Sequence, residues 1–171
     1  MVEIREEKKS DYDGVRIVND RAFGQPNEGR TVDKLRELCS ETVSLVAVSD
    51  HEIIGHIFFS PATIETPAGL IKGMGLAPMA VLPEFQNRGV GSMLVNGGLR
   101  IMKKMAYPFV IVLGHEKFYP RFGFGRASSY GLKSQWEGVP DGAFMVMILD
   151  EPVMKDVSGT ARYRDEFDAA M

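Results

Sequence analysis

A chain of 171 residues, 44% hydrophobic and 25% charged, has the make-up of one globular domain that can bury a stable core without disulfides or metals. Its formal net charge of -3, from 20 basic and 23 acidic residues, excludes the broad positive surface of a nucleic-acid binder. The single cysteine, Cys39, excludes a disulfide framework; in the apolar pattern Leu35, Leu38, Cys39 it reads as a small buried side chain.

Val2 to Arg5 alternates briefly and predicts an edge strand. Ser10 or Asp11 then caps a helix carrying Tyr12, Val15, Ile17, Val18 and Phe23, which stops at Gly24-Gln25-Pro26-Asn27. Thr31 is expected to cap a second helix with Val32, Leu35 and Leu38 on its apolar face, leaving Phe23 to Thr31 as a loop. At Val43 the period changes to that of a strand. Val43 to Val48 and Ile53 to Ile64 form a hairpin turned at Asp50-His51, and Glu65 to Gly69 leads into Leu70 to Leu82. The glycines and Pro78 in that last run predict an interrupted strand with a bulge or splay.

Beyond Pro83-Glu84-Phe85 the pattern is helical from Gly89 to about Met105. Phe109 to Leu113 is an unbroken apolar run, the mark of a strand covered on both faces, so strand, helix and strand form one right-handed parallel unit. Ala143 to Leu149 is a further strand after a Gly/Ser-rich stretch from Gly123 to Gly142. No apolar run reaches the about 18 residues that a membrane span requires, and Met1 to Glu7 is too charged for a signal peptide, so a cytoplasmic protein without a membrane partner is expected.

The junction after Leu82 carries the chemistry. A helix N-terminus leaves backbone N–H groups unpaired and partially positive, and an anion placed there gains several charge-assisted hydrogen bonds. In Gln86-Asn87-Arg88-Gly89-Val90-Gly91 the two glycines remove side chains that would keep a diphosphate from the backbone, and Arg88 adds a bidentate donor. The order of residues fits neither a dinucleotide fingerprint nor a P-loop, although a general nucleotide-phosphate binder remains a competing reading.

Met79 to Leu94, with Gln86-Asn87-Arg88-Gly89-Val90-Gly91-Ser92 at its centre, resembles the acetyl-CoA signature of the GNAT superfamily of N-acetyltransferases. Phe118-Tyr119-Pro120-Arg121-Phe122-Gly123-Phe124 is similar to the family's segment after the fifth strand. Together with Gly55-His56-Ile57-Phe58-Phe59-Ser60-Pro61, it resembles a YhbS-like bacterial subgroup. The resemblance implies an α/β (α+β) fold whose mixed, mostly antiparallel sheet splays between strands four and five and is flanked by helices. It spans residues 1–150 as the acetyltransferase domain and leaves 151–171 as a tail packing on the domain or on a partner, a homodimer included.

The resemblance further implies acetyl-CoA as co-substrate, an amine of a small molecule or protein as acceptor, and no metal. Pantetheine would pair with the backbone of Met79, Ala80 and Val81, and the diphosphate would rest on Gln86 to Gly91 with Ser92 in the first helical turn. Gly114, Phe118 and Tyr119 would complete the cofactor contacts. Acetyl transfer needs a neutral amine and a proton for the departing thiolate, and Tyr119 matches the family's acid. Relatives place a glutamate on the fourth strand as base, yet Gly75 to Val81 has no ionisable side chain. His56, Glu116 and His115 are the candidate bases, and the missing carboxylate motivates a second reading, a non-catalytic acyl-CoA sensor.

Overall fold

The computed structural model describes residues 1–170 and divides into two compact units. The first comprises residues 1–60, 77–100 and the C-terminal residues from 165; the second comprises 61–76 and 101–164.

In the first unit, β1 (Glu3–Glu6) pairs antiparallel with β2 (Val43–Ser49), and β2 pairs antiparallel with β3 (Glu52–Thr66). Asp50 and His51 both take left-handed φ values, 48° and 68°, which is the twist a two-residue hairpin turn requires. Helices α1 (Tyr12–Phe23) and α2 (Asn27–Leu38) lie between β1 and β2 in the chain, and α3 (Val90–Lys104) follows β4 (Gly69–Val81). Val15, Val18, Val32, Leu35, Leu45, Ile57, Phe58, Phe59 and Leu94 are buried in this unit's core. Gly98 is fixed by packing: a Cβ there would stand 2.4 Å from the Phe59 ring, so only glycine lets that ring reach the helix backbone.

The helical elements depart from the sequence expectation in instructive ways. Asp11 precedes α1 but its carboxylate makes no cap hydrogen bond; instead it accepts from Arg5 at 2.7 and 3.0 Å and from the Lys8 N–H at 2.7 Å. Ile17 and Phe23, expected on the apolar face of α1, are exposed, while Asn19 is buried, so the inward face contains a polar residue. Thr31 is not a cap. The helix already begins at Asn27, and the Thr31 hydroxyl donates back to the Asn27 carbonyl, the usual way an internal threonine satisfies itself. Asn27, Glu28 and Arg30 are therefore helical rather than loop residues. Leu38 is exposed and Cys39 only half-buried, correcting their expected place in the core.

In the second unit, β4 pairs parallel with β5 (Phe109–Leu113), β5 pairs antiparallel with β8 (Phe144–Ile148), and the two-residue β6 (Gly125–Arg126) adds to β8. β4 runs from Gly69 to Val81, and the expected splay appears where its pairing with β5 ends at Leu76. The β4 glycines make room for rings: a Cβ on Gly73 would meet Phe109, and one on Gly75 would meet Tyr163. The parallel pairing covers only Met74, Gly75 and Leu76 against Val110, Ile111 and Val112, so the sheet is mixed and opens after Leu76. The chain beyond 150 is ordered: α4 (Glu151–Met154) is followed by β9 (Gly159–Arg162), which pairs with β3 at Thr63–Glu65 and with β7 (Leu132–Ser134). Residues 165–170, in the first unit, form a 3-10 turn that packs on α2.

Candidate active site

The turn between β4 and α3 is built by a short relay of backbone bonds. Leu82 N–H donates to Ile54 O, Phe85 N–H to Leu82 O, and Gln86 N–H to Pro83 O at 3.3 Å. The Gln86 side chain donates to Val81 O at 3.0 Å, and Arg21 on α1 holds Glu84 through two contacts of 2.9 Å. Gln86 is thus used to close the turn, a role distinct from the diphosphate contact expected of its amide.

Past that point the amides open. Asn87 and Gly89 take left-handed φ values of 60° and 84°. The N–H groups of Asn87, Arg88, Gly89, Val90 and Gly91 donate to no backbone carbonyl among the described residues. Nothing approaches within 4 Å of where a Cβ on Gly89 would be, and Gln86 to Gly89 are exposed. Arg88 carries its guanidinium 5.7 Å from the Phe85 ring. Unpaired amides at the partially positive end of a 15-residue helix are donors of the kind that a coenzyme A diphosphate requires.

In the second unit an aromatic cluster assembles around Tyr119. Phe118 and Phe124 pack edge-on against its ring at 5.0 and 5.6 Å, and a Cβ on Gly114 would lie 2.4 Å from it. Gly114 is therefore required for the ring to occupy its place. Burial pushes the Tyr119 phenol well above its ordinary range, so it stays protonated throughout neutral pH, the state an acid must hold. Glu116 is exposed in the turn after β5, its carboxylate lying over Gly142; neighbouring His115 is exposed as well.

His56 occupies a different setting from a base that exchanges protons with solvent. It is fully buried on β3, its Nδ1 3.0 Å from Asn19 Nδ2 and its Nε2 2.9 Å from Ser44 Oγ. Asn19 Nδ2 can only donate, so Nδ1 accepts and Nε2 carries the proton toward Ser44. Burial, with the Arg36 charge as a lesser cause, lowers its pKa to about 3. Both nitrogens are engaged and the ring stays neutral, an arrangement that favours the structural over the catalytic reading of His56.

Sequence reading missed Asn19, Ser44 and Tyr163. Tyr163 is fully buried in the second unit, and its hydroxyl meets Leu76 O at 3.0 Å and Leu113 N–H at 3.2 Å. A lone tyrosine between two arginines in the tail carries no periodic signal that could have revealed it. Among the described residues no three His, Cys, Asp or Glu side chains gather as metal ligands, and no helix is long and apolar enough to cross a membrane.

A model of the acetyltransferase (GNAT) domain matches residues 3–127, and the chain belongs to this family. At 32% identity over 165 residues, 96% of this chain and 97% of the relative, it is similar to the uncharacterized N-acetyltransferase YhbS of Escherichia coli strain K12. It also resembles the uncharacterized N-acetyltransferase YjhQ of the same strain, at 39% identity over 68% of this chain and 65% of that one. Among solved structures, Escherichia coli YhbS in complex with CoA superposes with a TM-score of 0.90 at 32% identity, covering 98% of this chain and 92% of that one. A GNAT acetyltransferase from Brucella melitensis in complex with acetyl-CoA gives 0.81 at 29% identity, covering 98% and 99%.

Proposed function

We propose that this chain is an acetyl-CoA-dependent N-acetyltransferase that moves an acetyl group to a primary amine of a small molecule or a protein by direct attack in a ternary complex. The observation that carries the reading is the row of unpaired amides from Asn87 to Gly91 at the head of α3. The CoA and acetyl-CoA complexes of the two similar enzymes support the same ligand.

In this reading the diphosphate lies on the amides of Asn87 to Gly91, with Arg88 and Ser92 beside it, and the pantetheine amides pair with the backbone of Met79, Ala80 and Val81. The bound co-substrate supplies an acetyl group activated as a thioester. A backbone N–H near Ala80 or Val81 stabilises charge on the carbonyl oxygen as the amine adds. Tyr119, protonated because it is buried, gives its proton to the thiolate sulfur as the C–S bond breaks. Gly114 and Phe118 hold that ring in place. The exposed Glu116 receives the amine proton through solvent, because strand β4 supplies no carboxylate from Gly75 to Val81.

That same gap in β4 favours one competing reading, an acyl-CoA sensor without turnover. Calorimetry with acetyl-CoA and a turnover assay on a panel of amines separate the two. Saturable binding with acetyl transfer to at least one amine is expected. Tight binding with no transfer anywhere supports the sensor, and absence of binding overturns both.

A further inference from the structure

The parallel β4–β5 ladder stops at Leu76↔Val112, and a side chain from far along the sequence occupies the place where it stops. The Tyr163 hydroxyl donates to Leu76 O at 3.0 Å and accepts from Leu113 N–H at 3.2 Å, with Ile111 O at 3.4 Å from the same oxygen. Were the two strands to stay paired, these backbone groups would serve each other at a spacing of about 4.8 Å, which leaves no room for a phenol. The hydroxyl takes over one carbonyl from β4 and one amide from β5, so both strands lose each other without leaving a buried polar group unsatisfied.

The wedge is held from several directions. A Cβ on Gly75 would lie 2.6 Å from the Tyr163 ring, so the ring rests on the β4 backbone and glycine is required there. Trp136 stacks on the ring at 5.6 Å with planes 23° apart, and the Tyr163 N–H donates to the Gln135 side chain. Strand β9 fixes the preceding residues through Thr63↔Arg162 and Ser134↔Ala161. Tyr163, Trp136 and Gln135 lie after residue 127, outside the residues that the family model matches.

We infer that Tyr163 is a positioning residue that ends the β4–β5 ladder after Leu76 and thereby keeps the next residues of β4 free to pair with the extended arm of the thioester carrier. The inference rests on the acetyl-CoA reading above. Its chemistry is indirect: Tyr163 forms no bond to the carrier and transfers no proton, and it acts only by setting where backbone donors and acceptors stay unpaired.

The test uses the full chain, wild type, Tyr163→Phe and Gly75→Ala, titrated calorimetrically with acetyl-CoA and with adenosine 3′,5′-diphosphate, which has the nucleotide but no pantetheine arm. In Tyr163→Phe, acetyl-CoA affinity is expected to fall about tenfold, the scale of one buried hydrogen-bonding group, while nucleotide affinity stays at the wild-type value and the Leu113 amide exchanges faster. The KM for acetyl-CoA rises with the same factor. Gly75→Ala keeps the hydroxyl but displaces the ring, and is expected to reproduce the selective loss; it decides the matter if Tyr163→Phe does not fold. Equal losses for both ligands in the folded variants, or no loss, overturn the wedge while leaving the acetyl-CoA reading intact. A wild-type chain that fails to bind acetyl-CoA overturns that reading and the wedge with it.

Discussion

The phosphate-type turn at residues 86–91 and the phenol cluster around Tyr119 and Tyr163 solve opposite physical problems. The turn lies at the surface, with residues 86–89 exposed, and it leaves the main-chain amides of 87–91 unpaired with backbone carbonyls among the described residues. The phenols work through burial, which keeps both hydroxyls protonated and assigns the Tyr163 hydroxyl to two strands at once. A surface turn needs only a local backbone conformation, whereas a buried phenol needs walls, and those of Tyr119 come from Gly114, Phe118 and Phe124. The first tolerates side-chain change as long as φ is preserved; the second tolerates little.

The largest break in that contrast is expected from Tyr119→Phe. It removes only the proton donor and keeps the ring, so kcat is expected to fall about a hundredfold with the KM for acetyl-CoA nearly unchanged. Steady-state kinetics checks this, and an unchanged kcat would remove Tyr119 from the reaction.

His56 sharpens the contrast from within the first unit, where a buried titratable group serves structure. Its folded pKa of about 3 lies below the ordinary histidine value, so the folded chain resists protonation and the unfolded chain accepts it. Stability is therefore full above the unfolded pKa of about 6.5 and falls as pH drops from there toward 3. At pH 5 the loss is about 2 kcal/mol, on the scale of about 1.4 kcal/mol per pH unit. Urea unfolding at pH 7 and pH 5 measures it, and His56→Gln, which has no proton to gain, is expected to flatten the slope.

Gly89→Val probes the surface turn without touching any neighbour. The site around its Cβ is open, so its effect comes from φ of 84° alone, which a β-branched residue strongly resists. Acetyl-CoA affinity is expected to drop about tenfold as the amides turn away, with a stability cost of about 1 kcal/mol or more. A variant that binds normally would show that the left-handed turn is not what holds the anion. The smallest effect is expected from Arg88→Ala. This exposed side chain is screened by water and salt, so affinity should weaken about threefold at low ionic strength and little at high.

Local rules were enough for much of this protein. The hairpin turn at Asp50-His51, the buried run Phe109–Leu113, the helix that follows Pro83-Glu84-Phe85 and the glycine-bearing turn ahead of it all follow from period, turn chemistry and the unpaired amides of a helix start, which depend on residues close in sequence. The resemblance to the GNAT family added the fold, because its motif residues lie in three short stretches, 55–61, 79–94 and 118–124, each readable by itself.

Tertiary structure decided the rest, since packing brings together residues that share no period. Asn19 and Ser44 are unremarkable polar residues until His56 is placed between them. Gly75 reads as a strand breaker, yet its lack of a side chain admits the ring of Tyr163, 88 positions further along the chain, which takes the bonds at which β4 and β5 part. Period and propensity describe what a residue does to its own segment; which buried hydroxyl meets which orphaned carbonyl is fixed only when distant segments close on one another.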